Sequence, residues 1–224
     1  MSFWTQTLEM ARTDLRVERR VGETVRIVAP FAVMALLLIP MALGPELSII
    51  SRIGFPVFWA LGLLFGMQIA LRQVEVDTPE RRDLYALLGV DPAARFVGRA
   101  ISGSILTVSF LTIMGLAMLV FYDPVVPDGA VAPILVAVIL AATGLTQLGT
   151  LAGQVTLGLR ARTSLAGLIV APLSLPLLIG ASQILESVSR GAGILPWLLL
   201  MVATNLALTI AGVALAPYLE ENGL

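Results

Sequence analysis

Residues 100–121 read "AISGSILTVSFLTIMGLAMLVF", an apolar run without a charged side chain. As a helix this run would be about 33 Å long, enough to cross a hydrocarbon core of about 30 Å. The sequence contains five further apolar runs that are also bounded by charged residues. We therefore predict an all-α polytopic membrane protein with six transmembrane helices. The other five runs lie at approximately 27–43, 53–71, 132–157, 163–185 and 194–215.

The composition excludes several classes of function. The chain has 224 residues, is 58% hydrophobic and carries a formal net charge of −1, so a basic patch for nucleic acid is not expected. It contains no cysteine and no histidine, which excludes thiolate and imidazole metal sites and histidine-dependent triads. It also lacks lysine, so it has no phosphate-binding loop of the G-x-x-x-x-G-K-[ST] type. If ATP drives this protein, another chain binds it.

The arginines predict how the chain is oriented in the membrane. Twelve of them flank the predicted spans on one side and two on the other. Cytoplasmic flanks collect basic residues, so both termini are predicted to be cytoplasmic. The twelve are Arg12, Arg16, Arg19, Arg20, Arg26, Arg72, Arg81, Arg82, Arg95, Arg99, Arg160 and Arg162; the two on the opposite side are Arg52 and Arg190.

Residues 1–26 form a separate segment ahead of the transmembrane domain, which we assign to 27–224. Apolar residues from Phe3 and Trp4 to Val25 recur there at roughly helical spacing, with charges between them. This pattern predicts an amphipathic helix along the cytoplasmic interface. The helix would serve as a membrane-surface anchor or would brace a partner protein, and the sequence leaves both open.

The cytoplasmic segment 72–99, "RQVEVDTPERRDLYALLGVDPAARFVGR", predicts a short helix followed by a second helix start. Thr78 suits an N-cap, Pro79 the first helical position, Glu80 the first turn and Gly89 the C-terminal stop. We call the predicted helix, residues 79–88, the loop helix. Asp91 caps the next helix, which continues into the third span. The loop helix either couples to a partner or simply rests on lipid headgroups; its remaining candidate contact residues are Arg81, Leu84, Tyr85, Leu87 and Leu88.

The six spans lack acidic and basic residues well inside the hydrocarbon zone. Such residues mark proton relays and ion-coupled carriers, so their absence argues against a secondary transporter. Their absence also argues against an intramembrane enzyme, because no group is present to activate a serine. The polar residues that remain are expected to point into the bundle. They are Gln68, Gln147, Gln154, Gln183 and Asn205.

The fifth span contains two prolines one helical turn apart, Pro172 and Pro176. Each proline removes a backbone donor inside a helix and disfavours the helix by roughly 3 kcal/mol. The pair predicts either a fixed kink that shapes the bundle or a working hinge in the fifth span.

Taken together, the pattern resembles the haem exporter protein B family, the permease subunits of the cytochrome c maturation ABC transporter. The resemblance extends over nearly the whole chain and includes "ALGPELSIISRI" at 42–53, "LLGVDP" at 87–92 and "APLSLPLL" at 171–178. The first of these stretches holds Gly44, Pro45, Glu46 and Arg52. Trp59 and Arg99, which opens span three, belong to the same pattern.

The resemblance implies an ABC exporter permease in the bacterial inner membrane, with no catalytic activity and no resident cofactor. Its partners would be a separate cytoplasmic ATPase in a 2:2 assembly, a haem-handling membrane protein and a periplasmic haem chaperone. Haem would be a transported or handled species, and the loop helix would be the coupling helix. The complex would either export haem or use ATP to release the loaded chaperone.

Two other functions remain open from the sequence. One is an ABC exporter permease for another substrate, such as a drug, a lipid or a glycan. The other is a passive membrane scaffold that holds assembly factors together.

Overall fold

A computed structural model describes residues 2–22, 24–44, 46–75, 81, 84–85, 87–156 and 162–221, with the backbone alone for 25, 75, 162–164 and 219–221. Most of these residues are helical, and no β-strand occurs among them, in agreement with the predicted all-α class. A π-helical turn over Thr24–Val28 precedes α2. The helices are α1 (Phe3–Val21), α2 (Ala29–Leu43), α3 (Leu47–Glu75), α4 (Pro92–Tyr122), α5 (Val131–Val155), α6 (Arg162–Leu173), α7 (Leu175–Ser189) and α8 (Leu195–Glu221).

Five described helices are long and apolar enough to cross a membrane, or six spans if α6 and α7 count as one bent span. The helix that continues into the third predicted span begins at Pro92, as predicted, and so starts ahead of the apolar run at 100–121. Its N-cap is Asp91, whose side chain accepts a hydrogen bond from the Ala93 N–H at 2.9 Å, as predicted. Helical hydrogen bonding therefore includes Arg95 and Arg99, which precede the apolar run at 100–121.

Helix α1 packs along the first turns of α4 through its inner face of Thr7, Met10 and Ala11, all buried. The two helices approach closely at Gly98, where an added Cβ would lie 2.8 Å from the Met10 Cβ. The predicted helix over 3–26 ends at Val21, because Gly22 adopts a left-handed conformation with φ +67°. The inner face of α1 therefore packs on α4 of the same chain, a contact that neither of the two roles predicted from the sequence includes.

The centre of the bundle is formed by α3, α4 and α5. Glycines allow these helices to approach one another: a Cβ on Gly149 of α5 would lie 2.3 Å from the Ala70 Cβ of α3. A Cβ on Gly103 of α4 would lie 2.4 Å from the Thr146 Cγ2 of α5. Small residues at such crossings are typical of membrane helix packing.

A buried tyrosine completes the hydrogen bonding of α2. Pro40 lies inside α2 and has no N–H, so the carbonyl of Leu36 one turn earlier loses its helical donor. The Tyr122 hydroxyl at the end of α4 donates to that carbonyl at 2.8 Å. A side chain from another helix thus satisfies a backbone group that the proline leaves open.

The polar residues predicted to point into the bundle fall into three groups by burial. Gln147 and Asn205 are buried, as predicted; the Gln147 amide donates to Thr209 at 3.1 Å and the Asn205 amide to the Leu140 carbonyl at 3.0 Å. Gln154 and Gln183 are half-buried. Gln68 is exposed, and the prediction for it was wrong. Because Gln68 lies one turn from Arg72, it is near enough to the end of α3 to reach the interface.

Candidate functional site

Five residues of the loop helix lie within the described residues. Arg81, Leu84, Tyr85 and Leu87 are helical, and the Leu88 N–H donates to the Leu84 carbonyl at 3.0 Å. The helix stops at Gly89, which has φ +64° and so adopts the left-handed conformation that glycine tolerates. Thr78, Pro79 and Glu80 lie outside the described residues.

Three leucines of the loop helix face away from the bundle. Leu84, Leu87 and Leu88 are 53%, 86% and 67% exposed. They lie on the arginine-rich side of the chain, next to the first turn of α4. Clustered exposed leucines at the end of a bundle mark a surface that binds a protein or a membrane.

Tyr85 faces the other way and attaches the loop helix to α4. The guanidinium of Arg95 lies over its ring, 5.0 Å from the centroid, and Arg95 is only 5% exposed. The Arg81 guanidinium reaches the Tyr85 hydroxyl at 3.5 Å. A desolvated arginine over an aromatic face is a favourable contact of about 2 kcal/mol. The loop helix is therefore attached to α4 through a contact in which the arginine is buried.

Helix α1 adds to these side chains, and together they form what we call the polar cluster: Gln6, Asp14, Arg81, Tyr85, Arg95 and Arg99. The Gln6 side-chain oxygen accepts from the Asp91 N–H at 3.0 Å, and the Asp14 carboxylate accepts from the Ser102 hydroxyl at 3.4 Å. Asp14 and Arg99 line one small cavity of about 50 Å³ together with Tyr85. Arg99 is 5% exposed, so the arginine expected to open span three lies beneath α1.

Sequence reasoning did not identify Asp14 or Arg95 as members of this cluster. A signal for Asp14 existed, since Thr7, Met10 and Asp14 fall on one face of α1 at helical spacing. Arg95 gave no such signal, because an arginine near a membrane boundary is also expected in a solvated loop.

The candidate residues in the loop between α2 and α3, and in the first turns of α3, lie at the opposite end of the bundle. Gly44 ends α2 with φ +73°, and the exposed Glu46 precedes α3, its carbonyl accepting from the Ile49 N–H at 3.1 Å. Pro45 lies outside the described residues. Arg52 and Trp59 line the same open cleft of about 850 Å³ between α3 and α7.

Pro172 and Pro176 stand on either side of a break in the fifth span. Helix α6 ends one residue after Pro172 and α7 begins one residue before Pro176, with an angle of 40° between them. Ser174 at the break is fully buried, and its hydroxyl donates to the Ala171 carbonyl at 2.8 Å. The serine therefore satisfies a carbonyl other than those of residues 168 and 172, whose helical donors the prolines remove.

A family model described as CcmB protein matches residues 5–222, a range that includes the loop helix and both prolines. The chain belongs to the CcmB family. The resemblance inferred from the sequence is thereby confirmed.

Three curated relatives agree with this CcmB assignment, and each is named "Heme exporter protein B". The protein of Paracoccus denitrificans is 29% identical over 214 residues, covering 94% of both chains. That of Bradyrhizobium diazoefficiens is 28% identical over 224 residues, covering 95% of this chain and 96% of the relative. That of Rhodobacter capsulatus is 27% identical over 207 residues, covering 92% of each.

Proposed function

We propose that this CcmB-family chain is the permease subunit of an ATP-driven ABC transporter complex in cytochrome c maturation. The complex would export haem or use ATP to release a haem-loaded periplasmic chaperone. The observation that carries the proposal is the loop helix, which exposes three leucines while Tyr85 attaches it to Arg95 of α4. Such a helix is suited to receive a force from a cytoplasmic partner.

In this proposal the partner on the three leucines is the ATPase subunit, because the chain itself has no phosphate-binding loop. Two copies of each subunit would assemble, beside a haem-handling membrane protein and the chaperone. The chain would cross the bacterial inner membrane six times, α6 and α7 forming one span, with both termini cytoplasmic. It would catalyse no reaction and hold no resident cofactor, and haem would enter only as cargo.

The polar cluster beneath α1 supports a path from the ATPase into the membrane. A push on Leu84 would move Tyr85, and Tyr85 would move Arg95 in the first turn of α4. Since α4 packs on α3 and α5, the displacement would reach the centre of the bundle. The bent fifth span would then be the element that changes shape.

The double substitution Leu84→Asp with Leu88→Asp tests this function. The expected result is loss of ATPase co-purification and of haem-loaded cytochrome c, because two carboxylates replace the apolar docking surface. Leu195→Asp is the matched control: Leu195 is 63% exposed at the arginine-poor end of α8, so the ATPase should remain bound.

Normal ATPase binding and normal cytochrome c levels in the double variant would contradict the proposal and favour a passive scaffold. Loss of ATPase binding with normal cytochrome c would instead indicate an ABC exporter permease for another substrate. The copies of the variant that reach the membrane are counted first, so that failed insertion is not mistaken for failed docking.

A further inference from the structure

The cleft between α3 and α7, on the arginine-poor side, is not used by the coupling path. It has a volume of about 850 Å³, within the range of small-molecule and lipid sites. The walls of the cleft change from apolar to polar along their length. Trp59, Ala60 and Leu178 line one end, while Arg52 and Ser189 line the other.

The length of the cleft matches one membrane leaflet. Residues 52 and 60 of α3 are about 12 Å apart along the helix, and residues 178 and 189 of α7 about 16 Å, at 1.5 Å per residue. One leaflet of hydrocarbon is about 15 Å thick. The polar end of the cleft is nearest the helix ends, so it lies at headgroup level and the apolar end lies among acyl chains.

The charges at the mouth of the cleft favour an anion. Glu186 lines the mouth but forms an ion pair with Arg190, the residue that follows α7. Arg52 is exposed and makes no side-chain hydrogen bond or ion pair within the ranges of the chain that are described. One guanidinium is thus left to bind a ligand, and it has the fork geometry that suits a phosphate.

We propose that this cleft binds an anionic phospholipid of the arginine-poor leaflet. The acyl chain would lie on Trp59 and Leu178, and the phosphate would pair with Arg52. A zwitterionic lipid would bind less well, because its own cation competes for the phosphate. The proposal does not depend on a bound ATPase or on the transported species.

Native mass spectrometry of the purified full-length chain tests the proposal with phosphatidylglycerol and phosphatidylcholine of identical acyl chains. Preferential retention of phosphatidylglycerol is expected. Arg52→Gln should weaken that retention about fivefold, as expected for one basic residue at a membrane surface. Arg12→Gln removes the same charge from the exposed face of α1, where Arg12 pairs with Glu9, and should change nothing. Ala60→Trp, which fills the apolar end, should weaken binding of both lipids.

Equal retention of the two lipids, or unchanged retention in Arg52→Gln, would overturn the proposal. A second copy of the chain is the other possible occupant of the cleft. Because the chain has no cysteine, Ser182→Cys in the cleft wall provides a single thiol that can form a disulfide. A disulfide-linked dimer of that variant would show that a second copy fills the cleft, and would also overturn the proposal. None of these results would affect the docking of an ATPase on the loop helix.

Discussion

At the scale of single residues, Tyr122 shows how a proline is accommodated inside a membrane helix. Water is absent from the hydrocarbon zone, so a carbonyl without its helical donor needs a partner from the protein. Tyr122 supplies that partner to Leu36 from the end of α4, 86 positions along the chain. The bond also joins α2 to α4 at the arginine-poor end.

Tyr122→Phe should destabilise the chain by about 1–3 kcal/mol, because it leaves the buried Leu36 carbonyl without a donor. Reversible unfolding in mixed micelles measures the change. In a Pro40→Ala background, the restored backbone N–H at position 40 can donate to the Leu36 carbonyl. The same tyrosine substitution should then destabilise the chain clearly less. Equal costs in the two backgrounds would show that the tyrosine does not compensate for the proline.

Local chemistry made some residues predictable and left others unpredictable. Asp91 and Gly89 were assigned correctly, since a capping carboxylate and a left-handed stop depend on the neighbouring residues alone. Tyr122 and Asp14 were missed because each is defined by a contact more than 80 positions away. No local pattern specifies which tyrosine reaches which carbonyl.

At the scale of elements, the bend between α6 and α7 is the clearest departure from a straight span. Two prolines and a buried serine fall within five residues there, and the helices meet at 40°. Prolines commonly kink helices, and the backbone groups that they leave open inside a membrane need partners from the protein or from ordered water. The geometry is compatible with a fixed kink and with a hinge, so function must distinguish them.

Pro172→Ala with Pro176→Ala should impair cytochrome c assembly while the chain still inserts, because restored backbone bonds would stiffen the span. Covalently bound haem in periplasmic cytochrome c is the measurement, normalised to the amount of chain in the membrane. Pro133→Ala is the control, since Pro133 lies in the first turn of α5, where the N–H groups have no helical acceptor. Normal assembly in the double variant would leave only a fixed kink.

The edges of the elements were harder to predict than their existence. Hydropathy alone starts the third span near residue 100, whereas the predicted cap at Asp91 correctly places the start of α4 at Pro92, ahead of Arg95 and Arg99. Both arginines are buried because α1 and the loop helix cover them. This burial depends on tertiary contacts. The sequence of α4 alone would therefore place both arginines at a solvent-exposed helix end.

At the scale of the whole molecule, the distribution of arginine is the main guide to orientation. The twelve-to-two division predicts that the loop helix and α1 lie on one side of the membrane and the loop between α4 and α5 on the other. The alternation of six spans gives the same arrangement, provided that α6 and α7 cross as one.

Single cysteines test this orientation directly, because the chain has none of its own. In spheroplasts, a membrane-impermeant maleimide should label Asp128→Cys, which lies in the exposed loop after α4, and should not label Thr5→Cys on α1. Permeabilised membranes should allow labelling of both. Labelling of Thr5→Cys in intact spheroplasts would reverse the assigned orientation and with it the position of the docking surface.

The contact between α1 and α4 also has a consequence for synthesis. Asp14 and Ser102 are 88 positions apart, so a ribosome adding about 5–20 residues per second makes the second of them roughly 4–18 s after the first. During that interval α1 has no protein surface to pack on. Its exposed apolar residues Trp4 and Leu8 lie beside the face that later contacts α4. Through them the newly made helix can bind the lipid surface until α4 has been synthesised.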